Sequence, residues 1–267
     1  MFPLVLQIPG IGLSGEKTFV ERLEVLARHR FMGIEYQASD FGKEPADRVK
    51  AITADFNLKV TRIATGALAV KEKLSLSEGG GIGEKTLARM KDLADYASEF
   101  DAGLILGFIK GAPGQDREKA RHQFVENLSA LAGYASQKKT PFIIEATNHH
   151  ETSLAFTLAE AAELADAVTG KEPGSKLQIL PDTYHMNIEE TDIAAELCKY
   201  IRYFEAVHLS DNNRCLPGYG AIDFKKIFAA LIAANFSGYI GLEGNFRDFA
   251  RDIALCGDLF SVIERGL

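Results

Sequence analysis

PFIIEATNHHETSLAFTLAEAAELADAVTGKEPGSKLQILPDTYH, residues 141–185, spells out one strand–helix–strand unit. PFIIEA (141–146) and LQILP (177–181) are short apolar runs, and the stretch near 153–168 between them spaces Leu and Ala at a helical period. Each strand run closes on an acid, Glu145 in the first and Asp182 just past the second. Working outward, the same alternation continues to both ends of the chain. The further strand candidates are LVLQI (4–8), FMGIEY (31–36), LKVTRIAT (58–65), GLILGFI (103–109), FEAVHLS (204–210) and YIGLEG (239–244). Helical patterns fall near 16–30, 44–56, 84–100, 116–138, 189–200, 223–235 and 247–264. Thr152 or Ser153 can cap the helix after the fifth strand, and Asp223 the one after the seventh.

Eight βα units fill the 267 residues with no linker, low-complexity tract or charge run between them, so residues 1–267 read as one domain. A doubly wound sheet shares this alternation; the count of eight favours an α/β (β/α)₈ TIM barrel. The composition is that of an ordinary globular protein, 46% hydrophobic and 25% charged. A net charge of -7 argues against nucleic acid or an anionic membrane as the main partner. Cys198, Cys215 and Cys256 are an odd set without C-x-x-C spacing, which fits a reducing compartment better than a disulfide framework. The N-terminus lacks a signal-peptide pattern and no apolar run approaches roughly 20 residues, so the expected location is the cytoplasm.

In α/β barrels the chemistry sits where the strands end and the βα loops converge. Four successive strands each bring a metal-ligating side chain to that end: Glu145, Asp182, His208 and Glu243. Any one acid there is commonly a helix cap or a loop salt bridge. Four in succession are harder to dismiss, since unpaired carboxylates crowded there would repel one another and suffer desolvation unless a cation neutralised them. Three carboxylates and one imidazole make a hard, oxygen-rich set, suited to one divalent ion such as Mn²⁺, with Mg²⁺ or Co²⁺ as alternatives.

The segments carrying these residues are long. IIEATNHHET holds Glu145 and Glu151, LPDTYHMNIEE holds Asp182 and His185, VHLSDNNRCLPGYGAIDF holds His208 and Arg214, and IGLEG holds Glu243. Across roughly residues 141–244 the chain resembles the ketose 3-epimerases of D-tagatose and D-allulose type, within the xylose isomerase-like barrel superfamily. The resemblance implies that Glu145, Asp182, His208 and Glu243 bind the metal and that Glu151, His185 and Arg214 contact sugar oxygens. It also implies a homodimer or homotetramer. In the first half, LQIPGIGLSG and GLILGFIKGAPG lack the tryptophans such epimerases place around the substrate, and the chain has no Trp. The expected partner is therefore a sugar or sugar phosphate whose identity stays open.

Epimerisation beside a ketone removes a weakly acidic C–H proton on one face and returns one on the other. That calls for a Lewis acid at the oxygens and two opposed carboxylates, assigned here to Glu145 and Glu243. His185 could instead orient Asp182, Arg214 could be a loop salt-bridge residue, and Glu151 could cap the following helix; His149 and His150 read as rim residues. An aldose–ketose or hydroxypyruvate-type isomerase shares the same enediolate chemistry, with Lys71, Lys73 or Lys110 available to hold a phosphate. A non-catalytic sugar-binding barrel would have no use for paired bases. An endonuclease IV relative would need more strand-end histidines than the six His provide. Gly10, Gly12 and Gly15 outline G-x-G-x-x-G with Glu35 beyond, a dinucleotide fingerprint, but that reading ignores the four ligands; in a barrel they form a flexible first loop and Glu35 faces the site. SEGGGIGEKT (77–86) resembles a phosphate loop, but Glu84 breaks the G-K-[ST] order and leaves a mobile loop that, with KGAPG (110–114), can act as a lid.

Overall fold

The computed structural model describes residues 2–175 and 177–267. All eight expected strands form, as β1 (Leu4–Pro9), β2 (Phe31–Gln37), β3 (Lys59–Ala64), β4 (Gly103–Leu106), β5 (Phe142–Glu145), β6 (Leu177–Leu180), β7 (Ala206–Leu209) and β8 (Tyr239–Leu242). They are parallel and ordered β6-β5-β4-β3-β2-β1-β8-β7. The helices are α1 (Ile11–Ser14), α2 (Glu16–Arg28), α3 (Ala46–Asp55), α4 (Gly66–Glu72), α5 (Gly80–Ser98), α6 (Arg117–Lys138), α7 (Leu158–Lys171), α8 (Thr183–Glu189), α9 (Ile193–Tyr200), α10 (Phe224–Ala233) and α11 (Phe249–Arg265).

The two ends of the sheet, β6 and β7, approach to nearly close the barrel. They meet through a bridge between Asp182 and His208, and the His208 N–H donates to the Pro181 carbonyl at 2.8 Å. Pro181 has no N–H to give in return, which weakens pairing at this seam.

Strand alternation sorts side chains between two cores. Leu104, Leu106, Phe142, Ile144, Val207, Ile240 and Leu242 join the large apolar layer shared with the helices. Residues of the other parity, Ile105, Ile143, Leu180 and Ala206, pack with Tyr239 as a separate cluster in the barrel lumen. Two residues after Ile143 comes Glu145, two after Leu180 comes Asp182, two after Ala206 comes His208, and four after Tyr239 comes Glu243. The apolar layer inside the barrel therefore becomes a polar one at the strands' C-terminal ends.

Three loop expectations are corrected. Helix α7 starts at Leu158 with Thr157 as its cap, because the hydroxyls of Thr152 and Ser153 are engaged elsewhere, on Thr147 Oγ1 and Leu154 O and on Gln115 Oε1 respectively. The glycines of 77–86 are no mobile loop: α5 begins at Gly80, and Gly83 is buried against the Glu78 carbonyl. Gly10 and Gly12 flank and enter the short helix α1, packed on a buried Tyr36–Glu44 hydrogen bond where any Cβ would collide. The cap expected of Asp223 is present, its carboxylate accepting from the Lys226 N–H.

Candidate metal centre

Each of the four strand-end groups is aimed by its own element. Glu145 is the last residue of β5, and its Oε1 is buried with no hydrogen-bond partner. Gly107, just after β4, leaves the room it needs, since a Cβ there would lie 2.6 Å from Glu145 Oε2. Asp182 caps α8 through Oδ1, which accepts from the Tyr184 N–H at 2.8 Å, and so turns Oδ2 toward the centre. The His208 ring stands between them: its Nδ1 is 2.8 Å from Glu243 Oε2, 3.7 Å from Glu145 Oε1 and 3.9 Å from Asp182 Oδ2. One ligand atom from each of the four residues lies within 4.8 Å of all the others.

Two buried carboxylates and a third half-buried one this close need compensating charge. His208 and Arg214 supply it. Burial opposes a charged imidazole, but the carboxylates of Glu35, Glu145 and Glu243 around it raise the His208 pKa well above its ordinary value. Burial likewise works to raise Glu243, but the Arg214 guanidinium and His208 outweigh it and hold the carboxyl well below the usual range. Arg214 bridges the ligand set, Nη1 donating to Asp182 Oδ2 at 2.9 Å and Nη2 to Glu243 Oε1 at 2.7 Å. The orphaned Glu145 Oε1 and the mostly oxygen donor set fit a hard divalent cation, which would relieve the same repulsion from the middle of the group.

Around this cluster, His185 is buried and its Nδ1 accepts from both the backbone N–H (3.2 Å) and the side-chain amide (2.7 Å) of Asn148. Its proton then resides on Nε2. Its hydrogen-bond partner is Asn148 and not Asp182. Glu151 accepts from the same Asn148 amide at 3.2 Å and lies well before α7, so it is no helix cap. Asn148 ties the two expected sugar-contacting residues together, a role its place in TNHHET did not disclose. His149 is exposed at the rim and pairs with Glu189. Lys110 is fully buried beneath the site, with Nζ on the Glu145 carbonyl (2.6 Å) and Thr147 Oγ1 (2.8 Å), which removes it as a phosphate anchor. Lys71 is held at the Ser39 carbonyl and beside Asp40.

The family model described as xylose isomerase-like TIM barrel matches residues 23–255. The chain belongs to this family. Among relatives, the 3-dehydro-D-guloside 4-epimerase of Escherichia coli is 34% identical over 127 residues, 48% of this chain and 47% of that protein. The L-ribulose 3-epimerase of a Methylomonas species is 32% identical over 141 residues, 53% of this chain and 48% of that protein. The chain thus spans about half the length of the curated relatives it matches. In fold, it superposes on the D-psicose 3-epimerase of Clostridium cellulolyticum, solved with D-tagatose, with a TM-score of 0.81 over 98% of this chain and 99% of the other at 18% identity. Among the described residues no helix is long and apolar enough to cross a membrane.

Proposed function

We propose that this chain is a divalent-metal-dependent epimerase of keto sugars, inverting the carbon next to the ketone, with C3 of a ketose as the first choice. The observation that carries the reading is the convergence of Glu145 from β5 and Glu243 from the end of β8 on one histidine nitrogen. Glu145, Asp182, His208 and Glu243 would hold the ion, Mn²⁺ by preference for an oxygen-rich set, with Mg²⁺ or Co²⁺ able to substitute. When bound, the ion supplies Lewis-acid polarisation of the ketone and the neighbouring hydroxyl.

The rest is done by this chain's own groups. Glu243, kept ionised by Arg214 and His208, is ready to take or return a proton on its face of the sugar. Glu145 serves the opposite face. His185 presents Nε2–H and Arg214 its guanidinium to the oxygens on which charge develops in the enediolate. Glu151 steadies the end of the sugar next to His185 through their shared Asn148. A free sugar is preferred to a phosphorylated one: of the three lysines offered as phosphate anchors, Lys110 is buried and Lys71 is bound to the Ser39 carbonyl, which leaves only Lys73, exposed at the end of α4.

The Escherichia coli relative supports a second reading, inversion at C4 of a 3-keto glycoside, which also lies next to a ketone and needs the same two carboxylates. Glu243→Gln keeps the shape of the side chain and removes the base. Turnover is expected to fall by about 10²-fold or more with metal still bound. Turnover close to that of the parent would remove Glu243 from the reaction.

A further inference from the structure

The lumen beneath the ligands contains a buried charged group that the proposed reaction does not use. Glu35, on β2, is fully buried, and its Oε2 lies 2.6 Å from His208 Nε2, the nitrogen facing away from the other ligands. Its Oε1 accepts from the Tyr239 hydroxyl at 3.2 Å and stands 3.9 Å from the Arg62 guanidinium, which itself lies over the Tyr239 ring. A lone buried carboxylate would be costly here, and these partners keep it an anion.

Resting on the metal-site reading above, we propose that Glu35 is a positioning residue for the ion: it holds the proton of His208 on Nε2 and so presents Nδ1 as the ligand nitrogen.

An imidazole offers two nitrogens, and a metal can take only the one whose lone pair is free. Nδ1 of His208 already faces Glu145, Asp182 and Glu243, while Nε2 faces Glu35. An anionic acceptor at Nε2 fixes the tautomer, locks the ring against rotation and strengthens the nitrogen above as a donor to metal. The barrel is built to admit this pair. Gly241 stands opposite His208 in the β7–β8 ladder, and a Cβ at that position would lie 2.6 Å from His208 Cδ2 and 3.5 Å from Glu35 Oε1. Glu35 on β2 and Gly241 on β8 therefore serve one centre, the glycine clearing the ring that the acid orients. Arg62, from β3, completes the arrangement below, its other nitrogen 3.4 Å from Gln178.

Two readouts test this, neither depending on turnover. Metal-free parent and Glu35→Gln protein are titrated with Mn²⁺, following the free ion by electron paramagnetic resonance, with circular dichroism confirming that both are folded. The variant is expected to bind about 10- to 100-fold more weakly. In parallel, ¹⁵N NMR of the parent loaded with diamagnetic Zn²⁺ is expected to show the His208 proton on Nε2 and the metal on Nδ1. A folded variant with Mn²⁺ affinity within twofold of the parent, or the reverse tautomer in the parent, overturns the positioning role while leaving the metal site standing. A parent that binds no Mn²⁺ overturns both. The NMR measurement needs no variant, so a Glu35→Gln protein that fails to fold still leaves the proposal decided.

Discussion

His208 carries two opposite demands, and the way it meets them sets how the site responds to pH. In the metal-free protein its imidazole stays charged well above the ordinary histidine range, because Glu35, Glu145 and Glu243 together overcome the cost of burial. A metal must displace the Nδ1 proton. Below the raised pKa of His208, binding should therefore release one proton per ion, and affinity for Mn²⁺ should climb about tenfold per pH unit before levelling off above it. Calorimetry in buffers of different ionisation enthalpy reads that proton directly; a pH-independent affinity between pH 6 and 8 would contradict it. Sequence made the four clustered side chains legible because chemistry and position coincide: an acid or histidine two or four residues past an apolar lumen residue is conspicuous. It could not show which nitrogen of His208 faces upward, since Glu35 lies 173 residues away along the chain. Nor did it show that Lys110 points beneath the site, where a backbone carbonyl and a threonine hold it.

At the scale of elements, the segment after β7 is held by one buried side chain. Asp211 accepts from the backbone N–H groups of Asn212 and Ile222 through Oδ1, and from those of Gly218 and Gly220 through Oδ2. This cage fixes the turn in which Arg214 adopts a left-handed backbone, with φ 59°, and reaches Asp182 and Glu243. Asp211→Asn replaces one acceptor oxygen by a donor facing N–H groups, at a cost of about 1–3 kcal/mol. Steady-state kinetics should show KM rising more than kcat falls, with Mn²⁺ affinity changed far less than in Glu35→Gln; unchanged KM would detach the loop from substrate binding. The strands were legible to within two residues at every end but that of β4, which was expected to run to Ile109 and stops at Leu106, where Phe108–Lys110 turns into a short 3-10 helix; elsewhere continuous apolar runs leave few choices. Loop structure was not. The true start of α7 at Leu158 depends on hydroxyl partners contributed by distant residues, such as Gln115 for Ser153. Gly80, Gly81 and Gly83 read as a loop by composition, yet all three lie in α5, with Gly83 packed close under the Glu78 carbonyl and beside Asn127.

Across the whole molecule, the centre also sits at the weakest join of the barrel. The order β6-β5-β4-β3-β2-β1-β8-β7 leaves β6 and β7 linked, among the described residues, by one backbone bridge, Asp182 to His208, two of the four proposed ligands. A bound ion would tie β5, β6, β7 and β8 together across this seam. Adding Mn²⁺ at about 100 times its Kd should stabilise the fold by about 2.7 kcal/mol. Hydrogen exchange should slow most in β6 and β7, and a chelator should reverse the effect; protection spread evenly over all strands would argue that the ion does not close the seam. The eightfold alternation made the barrel legible, but the seam appears only once Pro181 is placed next to His208 in space. The central claim is that Glu145 and Glu243 exchange a proton at the carbon beside a ketone. It is tested most directly by proton NMR of Mn²⁺-loaded protein in D₂O with free ketoses, their phosphates and 3-keto glycosides. Deuterium entering the carbon next to the ketone of an unphosphorylated sugar, with the epimer accumulating, is the predicted result; no metal-dependent exchange at that carbon in any of these sugars would contradict it.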